Sequence, residues 1–426
     1  MPAFIKIKRS VFSHSTHHNN NDYDSLADLP ATVRHELFIV AGANFLSQTG
    51  TGVMLISISV LALQLTQQVA AGPLVVATGA LAPIAVVPLF NKLQNKVNVT
   101  RLMVVGDLGA FIVSVCLAIL TTGNLISAWM LYPAMFLFSG CLALYQPALR
   151  EWGANSAGDS LIAFNGALVM ATQLGVVIGW AVGGVFNALR QPSLAIVLCV
   201  ILYGLAWPIQ AATFHFRKSR KVVNKTQTRG KTYSWRSVFS HLAGRRYMVS
   251  LVSQALLQRL SFSMFVSLTA GTDSSRSWVP GVANSAFAAF SIAGAYMITK
   301  SRPAKIVDKH APTILIVGIC IQVAFGICAN FPILAVGCFA LIGLLSTAAN
   351  VIQTDAQTSW KNTGAGSAFA VIGAIQAPIQ AVGGAILSVV LLKIDVQYVY
   401  IAVVLIFGSI SVVFAILARL AQKQTN

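Results

Sequence analysis

"GVVIGWAVGG", Gly175 to Gly184, lies deep inside a long apolar run. Four of its ten residues are glycine, at spacings of four, four and one, with a tryptophan between two of them. Each glycine costs a helix roughly 1 kcal/mol relative to alanine. A helix that keeps so many needs close backbone approach to a neighbour, which small residues permit between membrane helices. What lies around this stretch decides whether the neighbour sits in water or in lipid.

The 426 residues are 56% hydrophobic and only 9% charged. An ordinary soluble domain carries about 25% charge, so this chain cannot cover a surface facing water and belongs in a bilayer. The net charge is +18. In a soluble protein that excess would point to nucleic acid, but here the basic residues fall between apolar stretches, where membrane topology accounts for them. The six cysteines, Cys116, Cys141, Cys199, Cys320, Cys328 and Cys338, all lie in apolar runs without a CxxC pair, and read as small hydrophobes. The polar first 34 residues have no apolar signal-peptide core and read as a disordered tail, despite the adjacent His17 and His18.

A membrane helix needs about 20 mostly apolar residues. Twelve such spans are expected, at 36–66, 69–91, 101–122, 125–149, 160–188, 192–216, 246–270, 277–299, 311–329, 331–353, 364–391 and 397–420. With the N-terminus inside, four basic residues in the tail and 21 in alternate loops and the C-terminus lie on the cytoplasmic side, 25 of the 29. Only Arg190, Arg276 and Lys393 lie opposite, and Arg259 falls within a span. This asymmetry follows the positive-inside rule and places both termini in the cytoplasm.

The expected organisation is a tail (1–34), a six-helix half (35–216), a basic loop (217–245), a second six-helix half (246–421) and a short C-terminus (422–426). Within and just beyond the loop, Tyr233–Met248 reads either as an amphipathic helix on anionic lipid or as a linker held inside by its charge. The halves echo each other: "AVGG" occurs at Ala181–Gly184 and Ala381–Gly384, each time in the fifth span of its half. Paired repeats of this kind are common in transporters.

Six spans plus six around a basic loop resembles the major facilitator superfamily over about residues 36–420, nearest to bacterial exporters of the enterobactin-exporter and macrolide-efflux branch. The family's antiporter motif in span five reads GxxxGPxxGG. Gly175, Gly179, Gly183 and Gly184 match it, and Trp180 stands in the place of the proline. After span two the family reads GxLaDRxGRRxxL. Here "NKLQNKVNVTRLM" keeps Leu93 and the positive charge at Lys96, with Arg101 slightly displaced. Asn91 and Asn98 replace the glycines and Asn95 the aspartate, so the family's charged latch is lost or rebuilt through Asp107. At the join of spans four and five, Pro147, Arg150 and Asn165 match the branch. The arginine of drug–proton antiporters in span four is missing: with Gly140 as its glycine, Phe136 occupies that place.

No nucleophile–base set, phosphate loop or metal cluster is present in the sequence, so neither an enzyme nor a cofactor is expected. All seven histidines (His14, His17, His18, His35, His215, His241, His310) lie away from the centres of the expected spans. Twelve spans use the whole chain, so transport is expected to run on an ion gradient rather than on a nucleotide.

Arg259 lies about twelve residues into span seven, where a charge costs about 2.5–3.5 kcal/mol and such residues usually face a cavity. The acids of the second half, Asp273, Asp308, Asp355 and Asp395, all lie near span ends. Arg259 is either a cationic anchor for an anionic or carbonyl-rich solute or a structural partner of the first half. Asp107 lies six residues beyond Arg101, about 9 Å deeper. It carries the coupled proton, the neutral acid being favoured away from water, or it pairs with Arg101 or Lys96 to hold a gate.

Amides repeat at i, i+4 as Asn44 and Gln48 in span one, Gln254 and Gln258 in span seven, and Gln376 and Gln380 in span eleven. Tyr145, Gln146, Gln173 and Gln353 sit in spans four, five and ten. In the resembling family those spans line a central cavity, which such groups would suit to a bulky amphiphilic solute. The alternative for each is interhelical hydrogen bonding. The resemblance implies a monomeric transporter of the bacterial inner membrane that exports a drug, siderophore or peptide-like metabolite by proton antiport. Its partners would be the solute, a proton or other coupling ion and the lipid bilayer, with no nucleic acid. An importer of an anionic solute anchored by Arg259 is the second reading, and a non-transporting membrane scaffold the third.

Overall fold

The computed structural model describes residues 31–68, 71–93, 96–156, 161–189, 191–218, 279–298, 301–346 and 394–423, with isolated positions at 268 and between 377 and 390. These residues form α-helices and one short 3-10 turn. Span one is α1 (Ala31–Thr66), whose Thr49, Thr51, Ser59 and Thr66 each donate to the carbonyl four residues back. In lipid, where water satisfies nothing, a hydroxyl is best placed on its own helix.

Span two is two helices, α2 (Ala71–Ala80) and α3 (Ala82–Leu93). The break falls at Leu81, because Pro83 has no N–H to offer the carbonyl of Gly79. Three-residue bonds bridge the gap instead: Leu81 N donates to Thr78 O and Ile84 N to Leu81 O, both at 3.1 Å. Span three is α4 (Val99–Thr122), capped by Asn98, whose side chain accepts from Thr100 N at 3.1 Å. The asparagine that stands where the resembling motif has a glycine thus starts the next helix.

A 3-10 turn at Ala128–Met130 leads into α5 (Leu131–Ser156), followed by α6 (Leu161–Ala188) and α7 (Pro192–Lys218). The second half shows α8 (Val279–Ile298), α9 (Ser301–Cys328), α10 (Pro332–Leu345) and α11 (Val396–Lys423). Helix α9 starts ten residues before the expected span nine, since its first turns carry Arg302, Lys305, Asp308 and Lys309 and are invisible to hydropathy. Helix α10 ends at a turn at Ser346, and residues 347–353 of the expected span ten lie outside the described residues. Apart from those isolated positions, spans seven and eleven lie outside the described residues, as do nearly all of the basic loop and almost all of the N-terminal tail.

Seven of the described helical stretches are long and apolar enough to cross a bilayer, and three shorter apolar helices accompany them in the second half. Each half has its own core. In the first, Val53, Met54 and Ile58 of α1 pack with Ala110 and Leu117 of α4, Phe138 of α5 and Tyr203 of α7. In the second, the Phe325 ring lies 5.2 Å from Phe339 and 5.4 Å from Tyr400, joining α9, α10 and α11. Large apolar side chains such as Ile112, Ile119, Ile201, Ile333 and Ile406 point outward. Helices apolar on all sides belong in lipid or in a large core. Helix α6 packs on α1 within its own half and on α8 in the other.

Candidate functional site

The glycines of the opening stretch divide between these two neighbours. A Cβ at Gly175 would fall on the Phe45 carbonyl oxygen of α1, and one at Gly179 on that of Thr49. One at Gly183 would lie 3.3 Å from Val53 Cα. Gly175, Gly179 and Gly183 thus form a strip on which α1 lies backbone to backbone. Gly184 turns the other way: its Cβ would lie 3.2 Å from the Cα of Gly281 on α8. On the same seam Ser285 Oγ donates to Val177 O at 3.2 Å. Trp180 is housed by a gap in α1, for a Cβ at Gly52 would meet its Cδ1 at 3.1 Å.

The remaining faces of α1 carry a polar network. Asn44 is fully buried; its Nδ2 donates to Thr172 Oγ1 of α6 at 2.7 Å, and its Oδ1 accepts from Tyr145 OH of α5 at 3.2 Å. One turn along, Ser47 Oγ donates to Asp107 Oδ1 of α4 at 2.7 Å. Thr51 Oγ1 and Tyr203 OH of α7 lie 2.7 Å apart. Four neighbouring helices are thus tied to one stretch of α1. The tyrosines fit because glycines face them: Gly50 lies under the Tyr203 ring and Gly106 beside Tyr145.

Asp107 is 1% exposed, and its Oδ2 has no hydrogen-bond partner among the described residues. Its electrostatic neighbours include Cys141, Tyr145 and Tyr203. Arg101 and Lys96 are exposed at the end where α4 begins. Gln48 is buried, its Cβ beside Gly175, while Gln146 and Gln173 are half-buried. The structure therefore brings Asn44, Gln48, Tyr145 and Asp107 around α1. Arg259, Gln254, Gln258, Gln353, Gln376, Gln380 and Asn95 lie outside the described residues.

Sequence reasoning missed Ser47, Thr51, Thr172 and Tyr203. The signal was there for the first two, since "NFLSQTGT" (Asn44–Thr51) puts five polar side chains into eight residues of an apolar span. It also missed Asn284, fully buried on α8 with both amide atoms lacking a hydrogen-bond partner among the described residues. Leaving a buried amide unsatisfied costs about 1–3 kcal/mol, which makes Asn284 a candidate polar contact in the second half.

The sequence pattern of the Major Facilitator Superfamily matches residues 37–384. The chain belongs to the major facilitator superfamily. No curated protein matches it in sequence. Among solved structures it is similar to a superfamily transporter, FucP, in the outward conformation, at a TM-score of 0.59 and 13% identity, with 91% of this chain and 99% of that one covered. A variant of the E. coli fucose:proton symporter FucP matches with the same coverage, at a TM-score of 0.59 and 14% identity. At that identity the likeness is one of fold.

Membership of the superfamily makes the chain a multi-pass membrane protein engaged in secondary transport, and a transporter rather than an enzyme. Within this superfamily member Trp180 changes a specific property of α6. A proline at that position would remove a backbone donor and favour a bend. Tryptophan keeps the donor and fills the space that Gly52 vacates.

Proposed function

We propose that this superfamily member exports a small organic compound, a drug, siderophore or peptide-like metabolite, across the bacterial inner membrane by alternating access coupled to proton antiport. Its N- and C-termini are cytoplasmic and it acts as a monomer. Export is supported by the span-five glycine pattern, whose Gly175, Gly179 and Gly183 meet α1 and whose Gly184 meets α8. Proton coupling is supported by one observation above all: Asp107, a carboxylate buried within a span, holds Ser47 through one oxygen, and its other oxygen has no hydrogen-bond partner among the described residues. A charge so placed is costly unless a cation or proton joins it.

In this reading the solute sits near the midplane between the halves. The amide and aromatic groups Gln146, Gln173, Gln254, Gln258, Gln353, Gln376, Gln380 and Asn284 supply its polar contacts, and Arg259 its anchor. Asn44 and Tyr145 hold each other and α6, and act as the framework behind that surface. Asp107 exchanges the proton, while Lys96, Arg101 and Asn95 lie at the cytoplasmic turn that opens and closes.

The test is transport in proteoliposomes under an imposed proton gradient, with candidate solutes taken from growth-inhibition differences between a deletion strain and its parent. Solute movement against its own gradient, driven by inward protons and lost in Asp107→Asn, is the expected result. Movement of the solute and the proton in the same direction would favour the importer reading, in which Arg259 binds an anionic solute. The fold-level likeness to a fucose:proton symporter keeps that reading in view. Asp107→Asn that still responds to the gradient rules out the carboxylate as carrier.

A further inference from the structure

Asp107 lies in the seam between α4 and α7, whose register follows from two contacts. Gln210 Nε2 lies 3.7 Å from Met103 Sδ, and a Cβ at Gly204 would lie 3.2 Å from the Phe111 ring. The helices therefore run antiparallel, with Asp107 opposite the region of Ala206, a small and fully buried residue. Two helical turns from Asp107 along the same face, about 10 Å away, lies Thr100 at the basic end of α4. It is 1% exposed, and its Oγ1 has no hydrogen-bond partner among the described residues.

This differs from six other helical threonines. Thr49, Thr51, Thr66, Thr78, Thr121 and Thr122 all donate to the carbonyl four residues back. Thr100 is the second residue of its helix, so the corresponding carbonyl, that of Lys96, lies outside the helix. Between Thr100 and Asp107 comes Gln210, fully buried, with its amide against a thioether, a weak acceptor. Three polar groups thus line one side of a helix seam that apolar residues would close more favourably. Buried water typically bridges such groups.

Beyond Asp107 the polar groups of the seam are bonded within the protein. Ala110 and Tyr203 are fully buried there, Ser114 is bonded back to Ala110 O at 2.8 Å, and Tyr203 OH is engaged with Thr51. Among the described residues, the titratable groups facing Asp107 are Cys141 and Tyr145 from α5 and Tyr203 from α7, with the Ser47 hydroxyl from α1.

We propose that Asp107 exchanges its proton with the solution at the basic end of the bundle, through water held between α4 and α7 by Thr100 and Gln210, and not through the solute cavity. The proton leaves a water molecule in the seam, binds Asp107 Oδ2, and returns by the same file. The route rests on the reading of Asp107 as the proton carrier, and supplies its access path.

The experiment follows the carboxylic C=O stretching band of the purified full-length protein by infrared difference spectroscopy. Asp107→Asn identifies the band, and a switch to deuterated buffer times its exchange. Thr100→Val and Gln210→Leu should slow that exchange several-fold to about tenfold, the rate equivalent of losing about one hydrogen bond from the path. Thr100→Ser, which keeps the hydroxyl, should restore the wild-type rate. Retention of the Asp107 band in each variant shows that the protein is folded. A band that exchanges at the wild-type rate in both Thr100→Val and Gln210→Leu overturns the route alone. The absence of any band removed by Asp107→Asn overturns the carrier reading and the route with it.

Discussion

Replacing Gly179 with alanine puts a methyl group where the Thr49 carbonyl of α1 already lies, with Thr49 C and Cα at 3.1 Å. Ordinary carbon contacts need about 3.5–4.0 Å. The obstacle is backbone within a helix, so no rotamer change relieves it, and α6 must move off α1. Overpacking of this kind costs about 1–3 kcal/mol. Against it stands the gain in helix propensity, about 1 kcal/mol for glycine to alanine. The net expectation is a loss of up to about 2 kcal/mol.

Gly42 supplies the matched control, because a Cβ there meets nothing within 4 Å. Gly42→Ala on the same helix pair should be neutral or stabilising by up to about 1 kcal/mol. Gly183→Ala, at 3.3 Å from Val53 Cα, should fall between them. Thermal unfolding of the purified protein in one detergent ranks the three. If Gly179→Ala melts with Gly42→Ala, α1 and α6 are not in backbone contact, and the structural meaning given to the motif is wrong.

Trp180→Pro restores the family motif's residue, but it also removes an N–H and leaves the space beside Gly52 empty; stability should fall by about 3 kcal/mol or more, read as a lower melting temperature. Tyr203→Phe deletes the partner of Thr51 Oγ1 inside the bundle. A loss of about 0.5–1.5 kcal/mol is expected, and no change in unfolding would mean that the hydroxyls do not pair. Arg259→Gln should weaken solute binding without lowering the yield of folded protein, measured by solute protection against thermal unfolding; unchanged affinity would remove Arg259 from the site.

The helical architecture was legible because hydropathy and charge act on whole segments. The starts of α4, α6, α7, α8 and α11 fall within two residues of those expected from sequence. What hydropathy could not register was chemistry inside a segment. The break at Leu81 depends on one missing N–H at Pro83, and the early start of α9 on turns too charged to count as apolar. At the site, the i, i+4 rule found Asn44 and Gln48, and depth found Asp107. Neither rule pairs residues across helices, so the bonds from Asn44 to Thr172 and from Ser47 to Asp107 had no trace in one dimension. The replacement of proline by Trp180 looked like a defect of the motif until its counterpart, Gly52, came into view some 130 residues earlier in the chain.

The two faces of α6 carry different mechanical duties. Toward α1 it offers three glycines, and α1 in turn bonds to α4, α5, α6 and α7 through Ser47, Tyr145, Thr172 and Tyr203. Packing this close and this heavily bonded resists sliding, so these helices move as one body. Toward α8 it offers Gly184 against Gly281 and, among the described residues, one hydroxyl bond from Ser285. In the alternating-access cycle proposed above, rocking of the halves would be taken up where fewer groups interlock, and a glycine pair lets two backbones pivot without side chains meshing. Gly281→Ala tests this. Its Cβ would lie 3.4 Å from both Gly184 Cα and Trp180 O, at the near edge of ordinary contact, so unfolding should shift by less than about 1 kcal/mol. Transport should nevertheless slow, because the methyl group must cross the Gly184 backbone in each cycle. A variant that transports at the wild-type rate would move the pivot away from the α6–α8 seam.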